Sequence, residues 1–340
     1  MCRTCRWGRN NQGCDRAQLD AEACGAFGLR SLPRRKLPML RWCLVSLLAL
    51  APLAAHAEDQ VALGWGRLFN NDALADMQDR WHSGSYTISQ LRGAAWRGSL
   101  PSQLFDLWEI KLEGATIAPA DLVNPAPDDR RYAGLLTFGV HTQLDWQGFE
   151  TNIGADLVVT GPQTGVSGFQ SAIHNALGMP SAAASYDNQI GNAVYPTATG
   201  EIGKTYRLGP NVTFRPFAGA SAGIETWARV GGDLTFGHFG EGAVMLRDDT
   251  TGQRYRAVAG DLATGFSFLA GADLAQVWNS ALLPSGGAAV LSDTRERLRL
   301  GLQWQGKTNA VFYGLTYLGP EFDSQPEGQV VGSLNVQLQF

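Results

Sequence analysis

The sequence predicts an all-β chain, a transmembrane antiparallel β-barrel of about twelve strands with one short extracellular-loop helix near residues 165–178. Three observations carry that prediction. Apolar and polar residues alternate with a period of two through segment after segment. Charged residues sit in the middle of those segments, on the polar face. The chain ends on Phe340, an apolar-face position of a strand reading NVQLQF, and a closing aromatic is the familiar sorting feature of bacterial outer-membrane barrels.

The first element is a leader. All five cysteines (Cys2, Cys5, Cys14, Cys24, Cys43) lie in the first 43 residues, so the main body is neither a disulfide scaffold nor a cysteine-ligated zinc domain. Cys2-x-x-Cys5 has no second pair at ligand spacing. From Met39, a basic residue (Arg41) precedes the 14-residue apolar run Trp42–Ala55, which ends in Ala55-His56-Ala57. That pattern predicts a signal peptide over 39–57, too short to span a bilayer stably. Residues 1–38 precede it and read as an over-extended start. The remaining barrel domain, 58–340, carries 18 basic and 28 acidic residues, a net of −10, which argues against nucleic-acid binding.

The strands follow. In 107–113, Trp108, Ile110 and Leu112 alternate with Glu109, Lys111 and Glu113. Over 132–146, Leu136, Phe138, Val140, Leu144 and Trp146 share a face with Tyr132, against Arg131, Thr137, His141, Gln143 and Asp145. A soluble sandwich and a membrane barrel both alternate in this way. Length, the mid-strand charges and the closing aromatic decide between them: 132–146 spans roughly 46 Å at about 3.3 Å per residue. Tilted in a barrel, it covers a band about 25 Å tall with an aromatic girdle at each edge. Strands are expected near 59–69, 84–96, 105–117, 130–146, 148–160, 199–209, 212–228, 230–246, 254–271, 293–305, 308–320 and 328–340. No stretch after Ala57 is apolar for long enough to form a transmembrane helix.

Three segments break the strand rhythm and carry chemistry. Asn71-Asp72 leaves the first strand, and Asp79-Arg80-Trp81-His82-Ser83-Gly84 precedes the second. An Asn-Asp pair at that place is usually turn chemistry. GVSGFQSAIHNALG (165–178) predicts a helix with Gln170 and His174 on one face and Phe169, Ile173 and Leu177 on a neighbouring apolar one. Asp128-Asp129-Arg130-Arg131 is a charge cluster, ordinarily a solvated rim, whose Arg130 and Arg131 could grip an anionic head group. Together Asp72, Ser83 and His174 supply an acid, a hydroxyl and an imidazole able to act as general base. A carboxylate with neighbouring oxygens suits Ca²⁺.

In this order, these residues resemble the calcium-dependent lipid A 3′-O-deacylases of Gram-negative outer membranes. Asn71-Asp72 and Asp79-Arg80-Trp81-His82-Ser83-Gly84 resemble the opening of the family pattern, with Ser83 standing for a threonine. Ala118-Pro119-Ala120-Asp121 and Asp129-Arg130-Arg131-Tyr132-Ala133-Gly134 resemble the next part, Arg131 replacing a proline. Gln170-x-x-x-His174, Asp187-Asn188-Gln189 and Leu318-Gly319-Pro320-Glu321-Phe322 complete it. The resemblance implies a site between the barrel wall and an extracellular helix. There His174 would activate water, with Gln170 beside it, and Asp72, Asn71 and Ser83 would position Ca²⁺ (Asp72 and Ser83 as its ligands) and the oxyanion. The expected substrate is lipid A or lipopolysaccharide, the expected setting the outer membrane, and the expected state a monomer. Two other classes stay open: a non-enzymatic structural or channel barrel, and a barrel phospholipase.

Overall fold

The structure is a computed structural model that describes residues 60–260 and 263–338. The expected leader over 1–57 and the terminal Phe340 lie outside the described residues. In chain order the strands are β1 (Val61–Asn71), β2 (Trp81–Gly93), β3 (Leu107–Ala118), β4 (Ala133–Trp146), β5 (Phe149–Thr160), β6 (Ala193–Gly203), β7 (Tyr206–Gly209) and β8 (Val212–Ala222). There follow β9 (Glu225–Phe236), β10 (Val244–Arg247), β11 (Arg254–Val258), β12 (Gly265–Ser280), β13 (Thr294–Gln305), β14 (Asn309–Leu318) and β15 (Gln329–Leu338). Two helices, α1 (Val166–Leu177) and α2 (Ala183–Asp187), lie between β5 and β6.

Twelve strands form the wall, each antiparallel to its neighbours, with β6 pairing β8 and β9 pairing β12. The ring closes where β1 meets β15 through Phe69↔Leu334, Asn70↔Ser333 and Asn71↔Gly332. The short β7 extends the edge by pairing with β8. The expected alternation sorts residues as a membrane barrel requires. Trp65, Phe69, Tyr86, Leu112, Phe138, Val140, Ile153 and Leu157 are exposed on the outer face, while Glu109, Lys111, Glu113, His141 and Asp156 are buried inside.

At one end the chain turns tightly at Gln147-Gly148 between β4 and β5 and at residues 306–308 between β13 and β14, and runs longer only through 94–106, 204–211 and 237–264. Most connections at the other end are long, including 119–132 and 161–192. Long loops mark the extracellular end of an outer-membrane barrel, which places α1 there.

Four expected strands formed differently: 199–209 takes in the end of β6 and all of β7, 212–228 runs from β8 through a turn into β9, and two more leave the wall. Segments 230–246 and 254–271 each divide between wall and interior: β9 stops at Phe236, β12 starts at Gly265, and β10 and β11 form a separate two-stranded sheet. This hairpin leaves the short-turn end and folds back into the lumen. Leu246, Tyr255, Ala257 and Val258 pack there against inward-facing Leu68, Leu91, Leu107 and Phe312. Arg247 on its other side pairs with Glu201 of β6 (2.5 Å) and Asp233 of β9 (2.7 Å). A period-two pattern states that a strand has one apolar face. It does not state which sheet takes it, so wall and plug read alike.

Candidate functional site

The site is built on the outer side of the wall, at the extracellular end. Asn71 of β1 faces Gly84 of β2, Gly84 faces Thr116 of β3, and Thr116 faces Gly134 of β4. This row lies on the same face as Phe69, Tyr86 and Phe138, the lipid side. Small residues let other groups come down onto the wall. A Cβ on Gly134 would lie 2.7 Å from Val166 Cβ, so the first turn of α1 rests directly on that glycine. A Cβ on Gly84 would lie 2.8 Å from Asn71 Nδ2.

The helix forms where the sequence expects it. Gly165 precedes it in a left-handed conformation, and Gly178 closes it at φ 70°, donating its N–H to the last-turn carbonyls. Its amphipathic faces separate as predicted: Gln170 and His174 are buried against the wall, and Phe169, Ile173 and Leu177 are exposed.

Between strands β1 and β2, the chain bends sharply. Asp72 opens a 3-10 turn (Asp72–Leu74), with the Asn71 side chain accepting from Ala73 N at 2.8 Å. Met77, Asp79 and Trp81 all have positive φ, a conformation ordinary for an aspartate but unusual for a tryptophan. The bend is held from several sides. Asp72 Oδ2 accepts from Arg80 N at 2.8 Å, the Arg80 guanidinium pairs with Glu327 at 2.7 Å, and it lies 4.3 Å from the Trp81 ring centroid. The ladder between β2 and β3 then skips a residue between His82 and Gly84, leaving Ser83 bulged out of the pairing.

The consequence is convergence on one carboxylate. Asp79 Oδ1 accepts from Ser83 Oγ at 2.5 Å and from Gln170 Nε2 at 3.4 Å. Asp79 Oδ2 lies 3.1 Å from His174 Nε2. Ser83, Gln170 and His174, far apart in sequence, thus share a partner. Asp79 itself was not singled out for a role by sequence; its only signal was its place in the Asp79-Arg80 pair before the second strand. Asn71 and Asp72 sit on the strand end beside this group but make no direct contact with His174.

Electrostatics set the site apart. Burial, reinforced by the Asp79 and Asp76 charges, outweighs the Arg80 N–H and pushes the Asp72 carboxyl up to about 7. Gln170 Oε1 is buried without a hydrogen-bond partner, as is Asp76 Oδ1. The rings of Tyr132 and Tyr186 meet edge to face at 5.0 Å, and both hydroxyls are buried and unpartnered. Burial raises both phenols further, keeping them protonated donors.

Among the described residues, no three His, Cys, Asp or Glu side chains converge as a metal cluster. The oxygens available are the Asp72 and Asp79 carboxylates, Ser83 Oγ and the unpartnered Gln170 Oε1. That set suits a hard, oxygen-preferring cation rather than a soft one.

The two arginines expected at a head group part company. Arg130 is 2% exposed and its guanidinium is committed to Glu321, which Arg295 and His82 also approach (3.1 Å each). Arg131 is exposed and free to meet a ligand.

The comparisons agree with this architecture. The family described as outer membrane protein LpxR matches residues 41–340. Among solved structures, LpxR from Salmonella typhimurium superposes with a TM-score of 0.69 at 17% identity, covering 82% of this chain and all of that one. The KdgM porin (TM-score 0.35, 8% identity, 82% of this chain and 98% of that one) is a far more distant match. So is the β domain of the Bordetella autotransporter BrkA (0.39, 11%, 83% and 100%). No curated protein sequence matches the chain.

Proposed function

This chain belongs to the LpxR outer membrane protein family, and from that premise we propose that it is an outer-membrane esterase removing the 3′-linked acyl or acyloxyacyl group of lipid A. The observation that supports this reading is the meeting of Ser83, Gln170 and His174 on Asp79, on the lipid side of the wall. A lipid-linked ester can reach that place by lateral diffusion in the outer leaflet, without entering the lumen.

In this mechanism Asp79 holds His174 by Nε2, which fixes the ring and leaves Nδ1 to take a proton from water. The water oxygen adds to the ester carbonyl carbon. The tetrahedral intermediate then expels the sugar oxygen, which takes the proton back from His174, giving a free fatty acid and a 3′-hydroxyl. Asp72, Ser83 and Gln170 would hold Ca²⁺, which supplies a Lewis acid for the carbonyl and offsets the oxyanion charge. Asn71 and the Tyr132 hydroxyl add neutral donors near that charge. Arg131 would meet a head-group phosphate, bidentate by preference.

A channel reading is disfavoured by the β10–β11 hairpin, which takes up part of the lumen and packs against β1. The test is direct: folded, purified barrel with lipid A and Ca²⁺ should yield a deacylated species by mass spectrometry. His174→Ala and an EGTA-treated sample should both leave lipid A intact. Unchanged lipid A with the folded wild-type protein refutes the proposal, and fatty acid released from phospholipid instead points to the phospholipase.

A further inference from the structure

The luminal hairpin touches the wall at one place that matters for the outer site. We propose that Asp248, at the hairpin tip, is a positioning residue that holds the Asn71-Asp72 strand end from inside the barrel. The proposal rests on the deacylase reading for its kinetic consequence, though not for its structural one.

Asp248 Oδ1 accepts from Asn70 Nδ2 at 3.0 Å, across 178 residues of sequence. Asn70 is the inward neighbour of Asn71 and is 1% exposed, as is Asp248. The same amide donates to Ser85 Oγ of β2 at 2.9 Å, and Asn70 Oδ1 accepts from Ser333 Oγ of β15 at 2.6 Å. Asn70 is therefore a node joining β1, β2, β15 and the plug.

The node sits at the weakest seam of the wall. The pairing of β1 with β15 covers three residue pairs, against ten for β14 with β15 and for β1 with β2. Those three are the only backbone register between β1 and β15 among the described residues, and Asn70 is the middle one. Below it β1 packs against the hairpin rather than on a full ladder, as the Leu68, Tyr255 and Ala257 contacts show.

Asp248 is itself fixed. Its Oδ2 accepts from Thr251 N and Thr251 Oγ1, both at 2.7 Å. The tip is pinned further by Arg297 Nη1, which donates to Asp249 O (2.8 Å), and by Gln253 Nε2, which donates to Leu300 O (3.1 Å) and Thr316 Oγ1 (3.1 Å). A rigid acceptor thus meets a seam with little hydrogen bonding of its own, one residue from the Asn71-Asp72 pair. An acceptor anchored inside the barrel limits how far that strand end can drift, and misplacement of about 1 Å can lower turnover about 100-fold.

The experiment compares wild type with Asp248→Ala, Asp248→Asn and Asn70→Ala in the full, detergent-folded barrel. Asparagine keeps one acceptor oxygen for Asn70 but turns its NH₂ toward Thr251 N, so it serves as a partial rescue. Hydrogen exchange followed by mass spectrometry reads peptides over 68–83, and lipid A deacylation gives kcat and KM. Asp248→Ala should exchange at least 10-fold faster over 68–74, with β3–β5 unchanged, and lower kcat about 10-fold at unaltered KM. Asp248→Asn should fall between wild type and Asp248→Ala in both, and Asp248→Ala added to Asn70→Ala should change little more. Unchanged exchange over 68–74 in Asp248→Ala overturns the proposal, as does a further full-sized loss when Asp248→Ala is added to Asn70→Ala. The exchange readout needs no turnover, so an inactive wild type would remove the deacylase reading while the positioning role stands or falls on exchange alone.

Discussion

Asp79→Asn isolates the role of the carboxylate that gathers the site. The change is nearly isosteric and leaves Oδ1 able to accept from Ser83 and Gln170, now at 2.5 and 3.4 Å. What it removes is the charge 3.1 Å from His174 Nε2, replaced by an oxygen or an NH₂ according to the amide's orientation. With the NH₂ toward the ring, the favoured tautomer reverses and Nδ1 carries the hydrogen, so it cannot accept one from water. In a buried serine-protease triad, the equivalent change lowers kcat about 10⁴-fold. The Asp79 side chain is 26% exposed, so solvent takes over part of its work and a loss of about 10²–10³-fold is expected. That corresponds to about 3–4 kcal/mol of transition-state stabilisation at about 1.4 kcal/mol per tenfold. The assay is lipid A deacylation under saturating Ca²⁺, followed by mass spectrometry, with folding checked by heat-modifiable gel mobility. KM should hardly move, because Asp79 is placed to hold His174 rather than to meet the lipid. A kcat within threefold of wild type would show that His174 works without its carboxylate, and the dyad argument would fail.

Two further outcomes follow from the same geometry. Glu321 neutralises buried Arg130 and Arg295, and those charges with His82 hold its carboxyl well below the usual carboxylate range despite burial. Its stabilisation is therefore fully present above the unfolded value near 4.5 and lost as pH falls through the lower folded value. Glu321→Gln should destabilise the barrel by about 3 kcal/mol in urea unfolding at pH 7. The gap from wild type should close in strong acid; a constant gap down to pH 2 would refute the linkage. Separately, Gly134→Val should lift α1 off the wall, lowering deacylation at least 10-fold with gel mobility unchanged, and Val166→Ala should recover part of it. Full activity in Gly134→Val would show that the helix need not rest there.

The sequence by itself determined the wall and the parts of the site that are local. Alternation of Trp108, Ile110 and Leu112 with Glu109, Lys111 and Glu113 fixes inside from outside, because a strand shows only two faces and lipid admits only one of them. Glycines at 165 and 178 frame α1, and four-residue spacing puts Gln170 and His174 on one side of it. What tertiary structure alone decided depends on contacts distant in sequence. The sequence separations of 91 from Asp79 to Gln170 and 178 from Asn70 to Asp248 leave no mark in any local window. Arg130 and Arg131 look equivalent as a dipeptide, yet one is buried on Glu321 and the other meets solvent. The hairpin at 244–258 alternates like a wall strand, and only its packing inside the barrel shows that its apolar face lies against β1. Periodicity reports that a face must be covered; which surface covers it is settled when the barrel closes.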